Sequence, residues 1–193
     1  MSTATSRNPS IAELTAVALA STARCGRTRV VLIDGPAGSG KTTLAGRFGT
    51  ALGAQVLHAD DMYEGWGGLS VLWDILGKRI LEPLSRGEQA GFECWDWNTS
   101  KRAEHIAVPA ADALVIEGVG VAQRAARTYA SLTIFVDAPW PERLARGVAR
   151  DGESMRAQWE VWQCAEEEFL NAEGTLQASD IVVDGLAPVP DAW

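Results

Sequence analysis

The sequence predicts a three-layer α/β/α fold around a mainly parallel five-stranded sheet, on three observations. Short unbroken apolar runs, rich in β-branched residues, alternate with stretches of helical periodicity. Strands buried on both faces read as such runs, and parallel pairing requires crossover helices that cover both faces. One run opens directly into a glycine-rich loop, Gly35 to Thr42, which is followed by a helical stretch. With 193 residues, 47% hydrophobic and 22% charged, the chain has the size and composition of one globular domain. No apolar run reaches the roughly 18 residues that a membrane-spanning helix needs.

Taken in order, Asn8-Pro9 reads as an N-cap and first-turn proline, starting a helix to about Arg24. Arg29–Asp34 (RVVLID) is a buried strand and Thr43–Ala51 a helix. A second strand covers Gln55–Ala59. Leu69, Leu72, Trp73, Leu76, Ile80 and Leu84 then recur at the spacing of one amphipathic helix. Ala113–Glu117 (ALVIE) and Leu132–Asp137 (LTIFVD) are further strands, and Asp180–Asp184 (DIVVD) is the last. Pro141 opens a helix through Arg150, and Met155, Trp159, Trp162 and Phe169 line one face of another. No repeat or linker interrupts the pattern, which gives a single domain over 1–193. Residues 1–28 form a helical extension and 29–185 a core, with a short lid near 150–157.

The loop Gly35-Pro36-Ala37-Gly38-Ser39-Gly40-Lys41-Thr42 satisfies GxxxxGK[ST] without a mismatch, between a strand and a helix as that motif requires. Its glycines allow backbone N–H groups to converge as a nest for phosphate oxygens, and the helix adds the positive end of its dipole. Lys41 supplies a point charge to the β- and γ-phosphates, the Thr42 hydroxyl can ligate Mg²⁺, and Thr43 continues the contact surface. The fold is therefore expected to be of P-loop NTPase type. A guanine-reading N/TKxD motif is missing; Thr99-Ser100-Lys101-Arg102 comes nearest and lacks the aspartate.

Ligands of open parallel sheets sit beyond the carboxyl ends of the strands. There the second strand delivers Asp60 and Asp61, and ALVIE ends in Glu117. Phosphoryl transfer to a hydroxyl needs a metal clamp and a carboxylate that orients and deprotonates the acceptor. Asp60 is assigned as base and Glu117 to the metal side.

Charge and cysteine usage narrow the partners. The net charge is −8, yet residues 1–150 hold 16 basic and 15 acidic side chains, and residues 151–193 hold one basic and ten acidic. An acidic chain lacks the basic face a nucleic-acid binder needs, so no nucleic-acid partner is expected, nor a membrane one. Cys25, Cys94 and Cys164 are odd in number and scattered, against a disulfide scaffold. The apolar stretch Leu14–Ala20 follows Glu13 and lacks a preceding basic cluster, which disfavours a signal peptide and favours a cytoplasmic setting.

These elements, in this order, resemble the uridine–cytidine kinases, with nicotinamide riboside kinases and phosphoribulokinases as relatives. The matching segments are Gly35–Thr42, Asp60-Asp61-Met62-Tyr63, Trp95-Asp96-Trp97 with Arg102, Glu117-Gly118, Arg143-Leu144-Ala145-Arg146 to Arg150-Asp151, and Ser179 to Val182. The resemblance implies a sheet of nucleoside/nucleotide-kinase type, Asp60 as acceptor base and Glu117 as metal-side carboxylate. It implies Arg150 as a lid arginine on the phosphates, and an acceptor side containing Tyr63, Trp95, Asp96 and Arg102. Departures fall on that side: Ser100 stands where the family has a histidine, Gly147 where it has an arginine, and Glu64–Gly68 replace an Asp-rich segment. The lid tip is reduced to Gly152–Arg156.

Eight of the 14 aromatic residues are tryptophans. Trp66, beside the proposed base, and Trp95 and Trp97, which flank Asp96, can present flat surfaces to an acceptor; Trp73, Trp159 and Trp162 sit at core spacing. His58 and His105 lack ligand spacing and read as structural. The sum is an ATP- and Mg²⁺-dependent phosphotransferase for a small-molecule hydroxyl substrate, with a nucleoside as the leading acceptor. The alternatives are a kinase for a sugar or vitamin precursor and an ATP-binding switch. The oligomeric state stays open.

Overall fold

The structure, a computed structural model, describes residues 7–192; residues 1–6 and Trp193, the ends of the expected 1–193 domain, lie outside the described residues. Helix α1 (Ile11–Ala20) leads to strand β1 (Arg29–Asp34), helix α2 (Lys41–Leu52) and strand β2 (Gln55–His58). A 3₁₀ stretch (Gly65–Val71) runs into α3 (Leu72–Ile75), a π-helical turn (Leu76–Leu81) and α4 (Glu82–Ser85). Strands β3 (Ala90–Asp96) and β4 (Lys101–Val108) precede β5 (Ala113–Glu117), α5 (Arg124–Arg127) and β6 (Ala130–Asp137). Helices α6 (Trp140–Asp151), α7 (Arg156–Glu173) and α8 (Thr175–Ala178) lead to β7 (Ile181–Asp184).

The main sheet has the order β2-β5-β1-β6-β7, and every pairing in it is parallel. Strand β1 explains its own apolar run. Val30 and Leu32 join one core cluster, with Trp162, Leu170 and the 69–84 segment, while Val31 and Ile33 join another, with α1 and α2. A strand covered on both faces has no polar side to show. The fold is the expected three-layer α/β/α P-loop arrangement.

Three expectations are corrected. The first helix is capped by Ser10, not Asn8, through a capping box with Glu13, and it ends at Ala20 rather than Arg24. Asn8 instead ties the two ends of the chain together: its side chain donates to the Asp184 carbonyl at 2.8 Å and accepts from the Asp184 N–H at 2.9 Å. The amphipathic helix over 69–84 is broken into 3₁₀, α and π turns. A Cβ at Gly77 would stand 2.3 Å from the Trp73 ring, so the turn is wound around that side chain. Finally, β3 and β4 form an antiparallel hairpin where no strands are predicted. Only Phe92 and Val108 in it are buried, so the alternation that marks a half-buried strand is absent from the sequence.

Candidate active site

The phosphate loop leaves the carboxyl end of β1, the central strand, between β5 and β6. Asp34, the last residue of that strand, is fully buried and accepts three backbone N–H bonds, from Gly35 (2.6 Å), Gly120 (2.8 Å) and Ala122 (2.8 Å). It stitches the start of the loop to the turn after β5. Burial pushes its carboxyl up to about 6 despite those donors. Gly35, Gly38 and Gly40 have φ of 134°, 79° and 107°, which an L side chain resists. At Gly38 a Cβ would also stand 2.7 Å from the Arg143 carbonyl, whereas at Gly40 it would meet nothing within 4 Å. The cradle is tight at its back and open at its mouth, the shape a phosphate group requires. Lys41 is buried, and its Nζ donates to the Pro36 carbonyl at 2.9 Å.

Behind the loop, Glu166 of α7 is fully buried. It accepts from the Ala37 N–H at 2.8 Å and pairs with Arg143 of α6, which donates to the Ala138 carbonyl at 2.9 Å. Arg143 is therefore not on a solvated helix face. Arg146, which is exposed, donates to the carbonyls of Gly38 (3.0 Å) and Gly185 (3.1 Å).

Register brings Glu117, the carboxylate assigned from the sequence to the metal side, beside the loop. Strand β5 sets Glu117 opposite His58 of β2 and Ile33 of β1. One Glu117 oxygen accepts from the Thr42 hydroxyl at 3.0 Å and lies 2.7 Å from His58 Nδ1. Burial acts to raise the Glu117 pKa, but the His58 hydrogen bond and the nearby Lys41 charge outweigh it and hold the carboxyl below its ordinary value. His58 is raised in return, mainly by that same hydrogen bond. Thus His58, read from the sequence as structural, orients Glu117.

The hydroxyl of Thr42 and the carboxylate of Glu117 are hard oxygen donors side by side at the phosphate cradle, which suits Mg²⁺. Among the described residues no group of three or more His, Cys, Asp or Glu could hold a metal by itself. An ion shared between phosphates and one or two protein oxygens needs no such group.

Two cavities flank the loop. One, of about 550 Å³, lies along α2 and is lined by Arg47, Arg146 and the 183–189 segment. The other, of about 510 Å³, opens on the far side of Lys41 and contains Asp60, Asp61, Tyr63, Trp66, Trp97 and Glu117. Lys41, Thr42 and Arg150 line both. Asp60 touches solvent at the cavity mouth, and its carboxylate has no hydrogen-bond partner among the described residues. Enough protein surrounds it that desolvation raises its pKa, against the pull of Lys41 and Arg150. Arg150 is gripped by Asp151 (2.7 and 3.0 Å), and its guanidinium carbon lies 5.4 Å from the Trp159 ring centroid. Trp159 in turn donates to Asp151 at 3.0 Å.

The predicted acceptor residues divide. Tyr63 and Trp66 line the second cavity, and the Tyr63 hydroxyl is spent on the Val119 carbonyl. Trp95, Asp96 and Arg102 do not line it. The Asp96 carboxylate closes the hairpin turn, accepting from the Asn98 N–H and the Thr99 hydroxyl at 2.8 Å each. Arg102 stacks over Trp95 and donates to Glu64 (2.8 Å) and the Met62 carbonyl (3.1 Å), which pins the hairpin to the loop that carries Asp60. From the hairpin only Trp97 reaches the cavity, donating to the Asp60 carbonyl at 2.9 Å. Trp159, Trp162 and Met155 also wall the cavity, and sequence reading missed them. Core spacing described the two tryptophans correctly as buried and was silent about the space beside them.

No protein-family model matches the chain, and no curated protein matches its sequence. Solved structures do match. A possible uridine kinase from Bacillus stearothermophilus superposes with a TM-score of 0.65 at 24% identity, over 90% of this chain and 97% of that one. A provisionally assigned fructose transport system kinase from Silicibacter sp. TM1040 superposes with a TM-score of 0.65 at 18% identity, over 90% and 98%. The chain shares the fold of these proteins along nearly its whole length.

Proposed function

We propose that this chain is an ATP- and Mg²⁺-dependent phosphotransferase that phosphorylates a hydroxyl group of a small molecule. One observation carries the reading: the buried lysine of a phosphate loop lies between two cavities, and the acceptor-side cavity holds an unpartnered carboxylate, Asp60. In this reading the loop amides and Lys41 bind the phosphates. Thr42 and Glu117 hold Mg²⁺, which when bound neutralises charge on the β- and γ-phosphates. Asp60 orients the acceptor hydroxyl and takes its proton as the acceptor oxygen bonds to the γ-phosphorus and the bond from that phosphorus to the β,γ-bridging oxygen breaks. Arg150, reaching both cavities, faces the equatorial oxygens in transfer. The raised pKa of Asp60 makes it a better base than a fully solvated aspartate.

The descriptions of the two structural neighbours, a possible uridine kinase and a provisionally assigned fructose transport system kinase, support a small hydroxyl compound as acceptor, a nucleoside first and a sugar second. The reading is tested by ADP release from ATP and Mg²⁺ across nucleosides, sugars and cofactor precursors, with Lys41→Ala as control. Acceptor-dependent release that disappears in Lys41→Ala is expected. Release at background for every acceptor leaves an ATP-binding switch and overturns the phosphotransferase.

A further inference from the structure

The walls of the acceptor-side cavity carry a chemistry that phosphate transfer does not use. Four carboxylates line it, Asp60, Asp61, Glu117 and Asp151, against two cations, Lys41 and Arg150. Both cations are committed, Lys41 to the phosphate loop and Arg150 to Asp151, and Glu117 is held by Thr42 and His58, which leaves Asp60 and Asp61 as the carboxylates without partners among the described residues. No other Lys or Arg, and no His, Asn, Gln or Ser, contributes to the lining, and the Tyr63 hydroxyl is already bonded to Val119. Apart from indole N–H groups, uncommitted side-chain donors that could read the edge of a neutral base are therefore absent from the lining. An anionic acceptor would meet a surplus of negative charge.

The remaining wall is indole. Trp66 stands at 75° to each of Trp97, Trp159 and Trp162, with ring centroids 5.8, 6.1 and 5.8 Å away. Each of these is an edge-to-face contact, which makes Trp66 the shared member of an indole cluster; ring faces of such a cluster that border the cavity can hold an organic cation as an aromatic box does. One of the rings already does so, because the Arg150 guanidinium lies over Trp159. Asp61 faces the same cavity with no hydrogen-bond partner for its carboxylate among the described residues.

We propose that the acceptor is a hydroxyl compound that carries a positive charge on an ammonium group. The charge sits among Trp66, Trp97 and Trp162 with Asp61 as its counter-charge, and the hydroxyl is presented to Asp60. The fate of that hydroxyl rests on the phosphotransferase reading; the charge preference does not.

Tryptophan fluorescence of the full chain, titrated at neutral pH with matched pairs, separates the two claims. The pairs are choline with 3,3-dimethylbutan-1-ol, and glucosamine with glucose. The cation of at least one pair should bind roughly tenfold or more tightly than its neutral partner. Trp66→Leu and Asp61→Asn should each reduce that preference roughly fivefold or more. Asp61→Asn keeps the test available if the indole is needed for folding, which thermal unfolding reports. Neutral partners that bind as tightly in every pair, or the failure of every cation to saturate the signal, overturn the proposal. A cation that binds preferentially but leaves ADP release at background supports the cation site and sinks the phosphotransferase. Acceptor-dependent ADP release confined to the neutral partners does the reverse.

Discussion

At the scale of single residues, two aspartates with raised pKa values have opposite assignments. Asp60 sits in the cavity without a hydrogen-bond partner, whereas Asp34 is buried under three backbone donors. Asp60→Asn should lower acceptor-dependent turnover roughly 10²–10⁴-fold while ATP still binds, measured by steady-state ADP release and nucleotide titration. Near-native turnover would remove Asp60 as the base. Asp34 makes a stability prediction with a definite sign. Its folded pKa, about 6, lies above the ordinary value of 3.8. Below the lower value both states are protonated; as pH rises the unfolded chain ionises first, so the folded state loses relative stability until about pH 6. Against Asp34→Asn, which cannot titrate, the native chain should lose roughly 2 kcal/mol of unfolding free energy between pH 4 and 6. Denaturant unfolding across that window checks it, and a constant difference between the two proteins would contradict it.

Among the elements, α6 and α7 clamp the phosphate loop from behind and shape the acceptor-side cavity in front. Gly147 is the contact that allows this. A Cβ there would stand 2.5 Å from the Trp159 ring, so the glycine admits the indole that also carries Arg150. Gly147→Ala improves helix propensity by up to about 1 kcal/mol, but overpacking against a buried indole costs roughly 1–3 kcal/mol. The variant should therefore be less stable than the native chain by about 1 kcal/mol, with altered tryptophan fluorescence; a higher unfolding midpoint would show that Trp159 moves aside freely. The position is legible in the sequence only as a departure from an arginine-containing pattern. That an indole from the next helix fills the space depends on how α6 and α7 pack, which no local spacing encodes.

For the whole molecule, the net charge of −8 misleads, because the phosphate cradle is built from backbone amides, a helix start and one buried lysine. Nucleotide should bind the folded chain alone and so stabilise it. At ATP–Mg²⁺ a hundredfold above its dissociation constant the gain is about 2.7 kcal/mol, or roughly 5–10 °C in unfolding midpoint for a chain of this size. Scanning fluorimetry should show that shift and its loss in Lys41→Ala. A midpoint indifferent to ATP would mean that the loop does not hold nucleotide. No helix among the described residues is long and apolar enough to cross a membrane.

The sequence by itself determined the parallel sheet, the phosphate loop and its place between strand and helix, and the carboxylates at the strand ends. These follow from burial on both faces and from backbone geometry, which act over a few residues and leave local patterns. Not legible there are the hairpin, in which only Phe92 and Val108 are buried, and the partners of Glu117, Arg143 and Glu166, which register and helix packing bring together from distant segments. Which tryptophans line the cavity with Asp60 follows from tertiary packing alone. Helical spacing marks Trp159 and Trp162 as buried, but whether a buried ring borders another side chain or a cavity depends on the elements that do not fill the space beside it.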